Sequence, residues 1–203
     1  PEPRLFKLAM TLDQPSLTQH LFFARQAISL GRKVLLDSFG RLAHVDEKYQ
    51  AGLVTEADVE SERVICEFLL KKFPQIPVVG EEGHAQKARD GRNVRLPQEA
   101  CWILDPLDGT TNYVHQFPIF FISLGLMLEG RVVLGIVDAP KMDQSFHAIE
   151  GKGAFLNDQP IRVSQRSQIK DCLLATGFFS HDAKILDEQL RAFGKLVHRV
   201  RGV

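Results

Sequence analysis

Cysteine is scarce and scattered: Cys66, Cys101 and Cys172 are the only three, and no two of them form a CxxC pair. That excludes a disulfide-stapled framework and a cysteine zinc site, and reads instead as small buried thiols in a reducing, cytoplasmic setting. Long apolar runs are missing as well. The most extended, Phe117 to Leu128, is interrupted by Pro118, Ser123 and Gly125. It is too short to cross a bilayer and reads as a strand, so no membrane partner is expected. The opening PEPRLFKLAMTLDQPS has no continuous apolar core of the kind a signal peptide needs, and it begins without methionine, as a processed chain would. Neither sign of charge dominates, since 25 basic residues face 25 acidic ones. The overall balance therefore points to neither nucleic acid nor an anionic surface. The seven histidines form no HExxH, and Gly151-Lys152-Gly153 lacks the rest of a phosphate-binding GxxxxGK[ST] loop. It reads as a hairpin turn.

What is present is an ordinary globular composition, 44% hydrophobic and 25% charged over 203 residues, enough for one good core or two small domains. Leu17, Leu21, Ala24, Ile28, Gly31 and Leu35 recur at helical spacing between Pro15-Ser16 and Gly40. A second helix is expected from near Asp58, a candidate N-cap, to Phe73, before Pro74 and Pro77. Short strands follow at Pro77 to Gly80 and at Cys101 to Leu104. Between them HAQKARDGRNVRLPQ reads as a surface loop. Further on, Phe120 to Leu128 and Val132 to Asp138 flank Glu129-Gly130-Arg131, while Gln144 to Ile149 and Ala154 to Asn157 flank Gly151-Lys152-Gly153. Asp182 to Val197 is helical again. Two helices, an antiparallel run and a further helix indicate a layered α+β sandwich, with the N-terminal helices packed on a mostly antiparallel sheet. The expected division is 1–175 for an N-terminal metal-binding domain, with 176–203 beginning an incomplete C-terminal α/β domain.

The chemistry concentrates in CWILDPLDGTTNYVHQFPIF, residues 101–120. An apolar segment ends in Asp105, Pro106 places Asp105 and Asp108 on a turn, and no basic residue lies between Cys101 and Tyr113. Two carboxylates at the end of a buried segment repel unless a counter-ion joins them. Gly109 permits a tight backbone, and Thr110-Thr111-Asn112 resembles a helix start whose N–H groups suit an anion. Carboxylate and carbonyl oxygens beside an anion site suit Mg²⁺, and two such ions could activate water against a phosphate ester. Val78-Val79-Gly80-Glu81-Glu82-Gly83 and Val54-Thr55-Glu56-Ala57-Asp58 repeat the pattern of apolar residues running into carboxylates. Alone, the first reads as a solvated turn and the second as a helix cap. Together the three argue for one acidic pocket. An EF-hand is excluded by Leu107 and Gln116 at ligand positions. The spacing of the two aspartates also differs from the DxDx[TV] of haloacid-dehalogenase phosphatases. His115 reads as structural or surface. The basic group Arg191, Lys195, His198, Arg199 and Arg201 reads as a solvated face.

WILDPLDGTTNYVHQFP resembles the signature of the inositol monophosphatase family, and LVTEAD, VVGEEG, GKGAFLNDQPIRVS and LLATGF occur around it in the expected order. The resemblance implies a sugar-phosphatase type of sandwich and Mg²⁺-dependent, Li⁺-sensitive hydrolysis of a phosphate monoester. By position it implies Glu81, Asp105 and the carbonyl of Leu107 at one metal, with Asp105 shared with a second metal that Asp108 also holds. Glu81 and Thr110 would place the attacking water, Asp58 would hold Thr110, and Gly109 and Thr110 would offer N–H groups to the phosphate. Glu82 has the lesser role. The family's later WDxxAG element, whose aspartate completes the second metal site, is not among these residues, so either a C-terminal part lies beyond Val203 or the protein is truncated, and a truncated form would have a half-built second site. A small phosphorylated polyol or sugar is the implied substrate, with inositol 1-monophosphate first. Nucleotide 3′-phosphate, histidinol phosphate and fructose 1,6-bisphosphate remain open, and a homodimer is implied. A regulatory protein that contacts RNA polymerase or a nucleic acid remains open as a different class of function.

Overall fold

The structure, a computed structural model, describes residues 15–48, 52–81, 97, 99–178 and 182–203. Most of the expected loop at 84–98, and Glu82, lie outside the described residues. By its internal contacts the chain divides into two compact units, Pro1–Ile161 and Arg162–Val203.

Among the described residues, the first unit has two long helices on a seven-stranded sheet. Helix α1 runs Pro15–Ser38 and α2 runs Glu56–Lys72, with a small antiparallel hairpin of β1 (Val45–Lys48) and β2 (Gly52–Thr55) between them. The sheet comprises β3 (Val78–Gly80), β4 (Ala100–Asp108), β5 (Phe121–Leu128), β6 (Arg131–Ala139), β7 (Gln144–Ile149), β8 (Gly153–Leu156) and β9 (Gln159–Ile161), side by side in chain order. Every pairing is antiparallel except the first, where β3 lies parallel to β4. Consecutive strands joined by short turns give this meander directly. The turn glycines Gly130, Gly151 and Gly153 all take positive φ. The α+β class expected from the sequence is the one observed.

Alternation along the strands sorts the two faces. Trp102 and Leu104 of β4, Leu124 and Leu126 of β5, and Leu134 and Ile136 of β6 are buried in one core with Ala24, Ala27 and Leu35 of α1 and Ala57, Ile65 and Leu69 of α2. The intervening positions turn to the other face. There Ile103, Gly125, Gly135, Ala148, Ala154 and Ile161 stand in register across six strands, a row of mostly small side chains. The two helices approach closely because Gly31 has no side chain: a Cβ there would fall 2.6 Å from Cδ1 of Ile65 and 2.9 Å from Oγ of Ser61. One turn further along α1, the hydroxyl of buried Tyr113 donates to the carbonyl of Leu35 at 2.7 Å. This contact ties the helix to the segment that follows β4.

Three sequence expectations are corrected. Helix α2 begins before Asp58: Thr55 is its N-cap, in extended conformation, and Asp58 is the N3 partner of a capping box. Asp105 and Asp108 do not form a simple turn, because β4 continues through them as an irregular strand. Of the three thiols only Cys101 is buried, Cys66 and Cys172 being half-exposed. The hairpin β1–β2 and the strand β9 carry no clear alternation in sequence and were not anticipated.

The second unit contains a 3₁₀ turn at Ile169–Asp171, helix α4 at Ala183–Leu196 capped by Asp182, and a 3₁₀ turn at Val197–Arg199. Leu173 pairs with Gly202, Arg201 reaches Asp171 at 3.3 Å, and Phe178 packs edge-on against Phe193. No helix among the described residues is long and apolar enough to cross a membrane.

The close helix crossing yields a first prediction. Gly31→Val forces the α1–α2 contact apart and costs about 1–3 kcal/mol of stability, measurable as a lower urea midpoint with unchanged slope.

Candidate metal centre

Parallel pairing of β3 with β4 builds the site. Gly80 stands opposite Leu104, so Glu81, the first residue beyond β3, comes out beside Asp105, which β4 still holds in the sheet opposite Ser123. The Glu81 carboxyl lies close enough to Asp105 to disfavour its ionisation. Burial pushes Asp105 up, and the charges of Glu81 and then Asp108 add to the effect, to about 7. Opposing them is a hydrogen bond from the Leu107 N–H to Asp105 Oδ1 at 3.1 Å.

Pro106 explains the shape of the loop that follows. It has no N–H for the ladder. Between Asp105, opposite Ser123, and Asp108, opposite Phe121, β4 advances three positions while β5 advances two. The extra residue makes a bulge, which re-aims the side chains on either side of it. Asp108 is thereby exposed, whereas Leu107 turns into the core. Gly109 then takes φ +87°, and a Cβ on it would lie 3.2 Å from the carbonyl of Ile119. A side chain there would be strained by the backbone and crowded by that carbonyl, so glycine suits the position on both counts. A short helix, α3 (Thr110–Val114), starts there.

Thr110 is held from two sides: its hydroxyl lies 2.9 Å from the carbonyl of Leu107 and 3.2 Å from Oδ1 of Asp58. Asp58 is itself buried, and its Oδ2 accepts from both the N–H (2.8 Å) and the hydroxyl (2.6 Å) of Thr55. The capping box of α2 thus doubles as the support of Thr110. The sequence reasoning missed Thr55, although the T-x-x-D spacing is the signal that marks it. It also missed Ser61, one helical turn beyond Asp58, whose hydroxyl reaches the carbonyl of Pro106. His115 is exposed, with Nδ1 2.9 Å from the carbonyl of Thr111, a local structural contact.

Glu81 and Asp105 open onto a cavity of about 800 Å³ along the second face of the sheet, lined also by Ser123, Gly125, Gly135 and Phe146. Among the described residues no three His, Cys, Asp or Glu side chains converge closely enough to hold a metal by themselves. The donor set nevertheless fits a hard divalent cation. Such an ion of the Mg²⁺ type keeps several waters and needs only one or two carboxylates from the protein. Here the neighbouring carboxyls of Glu81 and Asp105, a third at Asp108 within electrostatic reach and the nearby carbonyl of Leu107 supply only oxygen.

The sequence matches the inositol monophosphatase family over residues 16–202. The chain belongs to this family. It is 38% identical over 189 residues to inositol monophosphatase 3 of Solanum lycopersicum, covering 93% of this chain and 69% of that protein. Its fold superposes on the Thermotoga maritima IMPase with a TM-score of 0.78 at 31% identity, over 91% of this chain and 66% of that one. It is also 36% identical to the Nus factor SuhB of Pseudomonas aeruginosa over 195 residues, covering 94% of this chain and 68% of that protein. The chain therefore spans about two-thirds of the length of these family members.

The raised Asp105 has a sign that can be tested. Unfolded, the group has the ordinary value of 3.8, and folded about 7, so the native state holds the proton longer. Stability therefore falls as pH rises across that window and levels off above it. In EDTA, the urea midpoint should drop between those two pH values, and Asp105→Asn should flatten the drop.

Proposed function

We propose that these residues form the metal-binding part of a Mg²⁺-dependent phosphatase that hydrolyses a small phosphate monoester, with inositol 1-monophosphate the first candidate. The observation that carries this reading is the Glu81–Asp105 carboxyl pair, set on parallel strands and pushed into mutual conflict within the DPLDGTTN segment. A bound divalent cation would resolve that conflict and supply the positive charge that polarises a phosphate ester and acidifies water. Glu81, Asp105, Asp108 and the carbonyl of Leu107 would hold it. Glu81 and the Thr110 hydroxyl would orient the attacking water, and Asp58 fixes that hydroxyl. The N–H groups of Gly109 and Thr110 would receive the phosphate, where the absence of a Cβ at Gly109 lets the backbone approach.

The same reading includes Li⁺ sensitivity, a homodimer, a cytoplasmic setting, and a second domain that begins in residues 176–203. Similarity to a Nus factor supports a second reading, in which the fold serves as a surface for RNA polymerase or RNA.

Phosphate release from inositol 1-monophosphate separates the two readings. The first expects Mg²⁺-dependent release that Li⁺ inhibits. Asp105→Asn should cut it by more than the ~10–100-fold typical of losing a group that merely supports a metal ligand, with the far-UV spectrum unchanged. A folded protein that binds RNA but releases no phosphate with Mg²⁺ would favour the second.

A further inference from the structure

We propose that Ser61 is a positioning residue for the metal loop: its hydroxyl fixes the Pro106–Leu107 peptide unit and, through that unit, the carboxylate of Asp105. This inference rests on the metal-binding reading above.

A serine inside a helix usually turns its hydroxyl back onto a carbonyl of its own helix. Ser61 does not. It is fully buried, and its Oγ donates to the carbonyl of Pro106 at 3.1 Å, across 45 residues of sequence. The partner is a carbonyl in the bulge, where proline has already removed one ladder bond. The N–H on the same peptide unit, that of Leu107, donates to Asp105 Oδ1, also at 3.1 Å.

A peptide unit is planar, so its C=O and N–H turn together. Ser61 holds one side of the plane and the Asp105 carboxylate accepts from the other. Rotating the unit would break both bonds, so the Ser61 hydroxyl restrains the carboxylate without touching it. Donation to the carbonyl also polarises the unit and strengthens the N–H as a donor.

Two further observations give Ser61 this role rather than that of a filler. Gly31 leaves room for the hydroxyl, since a Cβ there would sit 2.9 Å from Ser61 Oγ. Asp58, three residues earlier on α2, grips the other end of the loop through Thr110 at 3.2 Å. One face of one helix therefore clamps the loop at Pro106 and at Thr110. Groups that orient a metal ligand change affinity although they never touch the metal.

The test is binding of Mg²⁺ alone, read by calorimetric titration and by the rise in melting temperature, for wild type, Ser61→Ala and Ile65→Val. Ile65 is fully buried one turn further along α2 against Gly31, and its truncation loosens the same helix packing while leaving the Ser61 hydroxyl in place. Ser61→Ala should weaken Mg²⁺ binding by about 10-fold, while Ile65→Val should leave it unchanged. With saturating Mg²⁺, Ser61→Ala should recover kcat to within about 3-fold, because the ligands themselves remain. Should Ser61→Ala fail to fold, Ser61→Cys keeps the shape with a weaker donor and is read in the same way. Wild-type affinity in the serine variant overturns the proposal, and so does an equal loss in Ile65→Val. A wild type that binds no Mg²⁺ overturns the metal-binding reading itself, and this inference with it.

Discussion

Like charges brought together at the end of a parallel strand pair are the constraint around which this fold is arranged. The register Gly80 opposite Leu104 leaves Glu81 and Asp105 no choice but to emerge as neighbours. In an antiparallel pair the same two residues would leave from opposite edges, and neither would need a counter-ion. The cost is visible in Asp105, which holds its proton until about pH 7. A stable protein keeps such a conflict only where the surrounding structure over-determines it. Here the surrounding structure is the leucine-rich core directly beneath. Leu104 and Leu107, on either side of Asp105 and Pro106, are both buried to within 2%. The apolar neighbours anchor the backbone that holds the carboxylate in place.

Much of this was legible in sequence, for a physical reason. The metal loop is a contiguous segment whose residue types each answer a local demand: an apolar run to bury, proline to break the ladder, and glycine for the positive φ at Gly109, which strains a residue with a side chain. Part of the meander beyond it was equally legible, since β5 and β6 are long apolar strands and the β5–β6 and β7–β8 turns carry Gly130 and Gly151. Such signals do not depend on distant parts of the chain.

What was hidden depends on contacts between distant segments. The parallel pairing of β3 rests on three residues, too few to carry a period, and the chain between it and β4 says nothing of direction. Asp58 looked like a cap because an aspartate before an apolar run usually is one. Thr55 outcompeted it by adopting the extended conformation three residues earlier. That displacement is what frees Oδ1 of Asp58 to reach Thr110. Ser61 gave no signal because a serine in a helix is ordinary, and its partner lies across the fold.

The division of labour on α2 follows from helical geometry. Residues three apart on a helix share a face, about a turn above one another. Asp58 and Ser61 therefore face the same loop at a spacing that the helix sets, and the loop between Pro106 and Thr110 is short enough to be met at both places. Loops are the most adaptable parts of a protein and the worst places to hold a geometry to a fraction of an ångström. Pinning this one to a helix buried at Ala57, Ile65 and Leu69 lends it the rigidity of the core. The helix is in turn seated by the glycine contact with α1. Precision at Asp105 thus depends on packing at Gly31, a residue that touches neither carboxylate nor cavity.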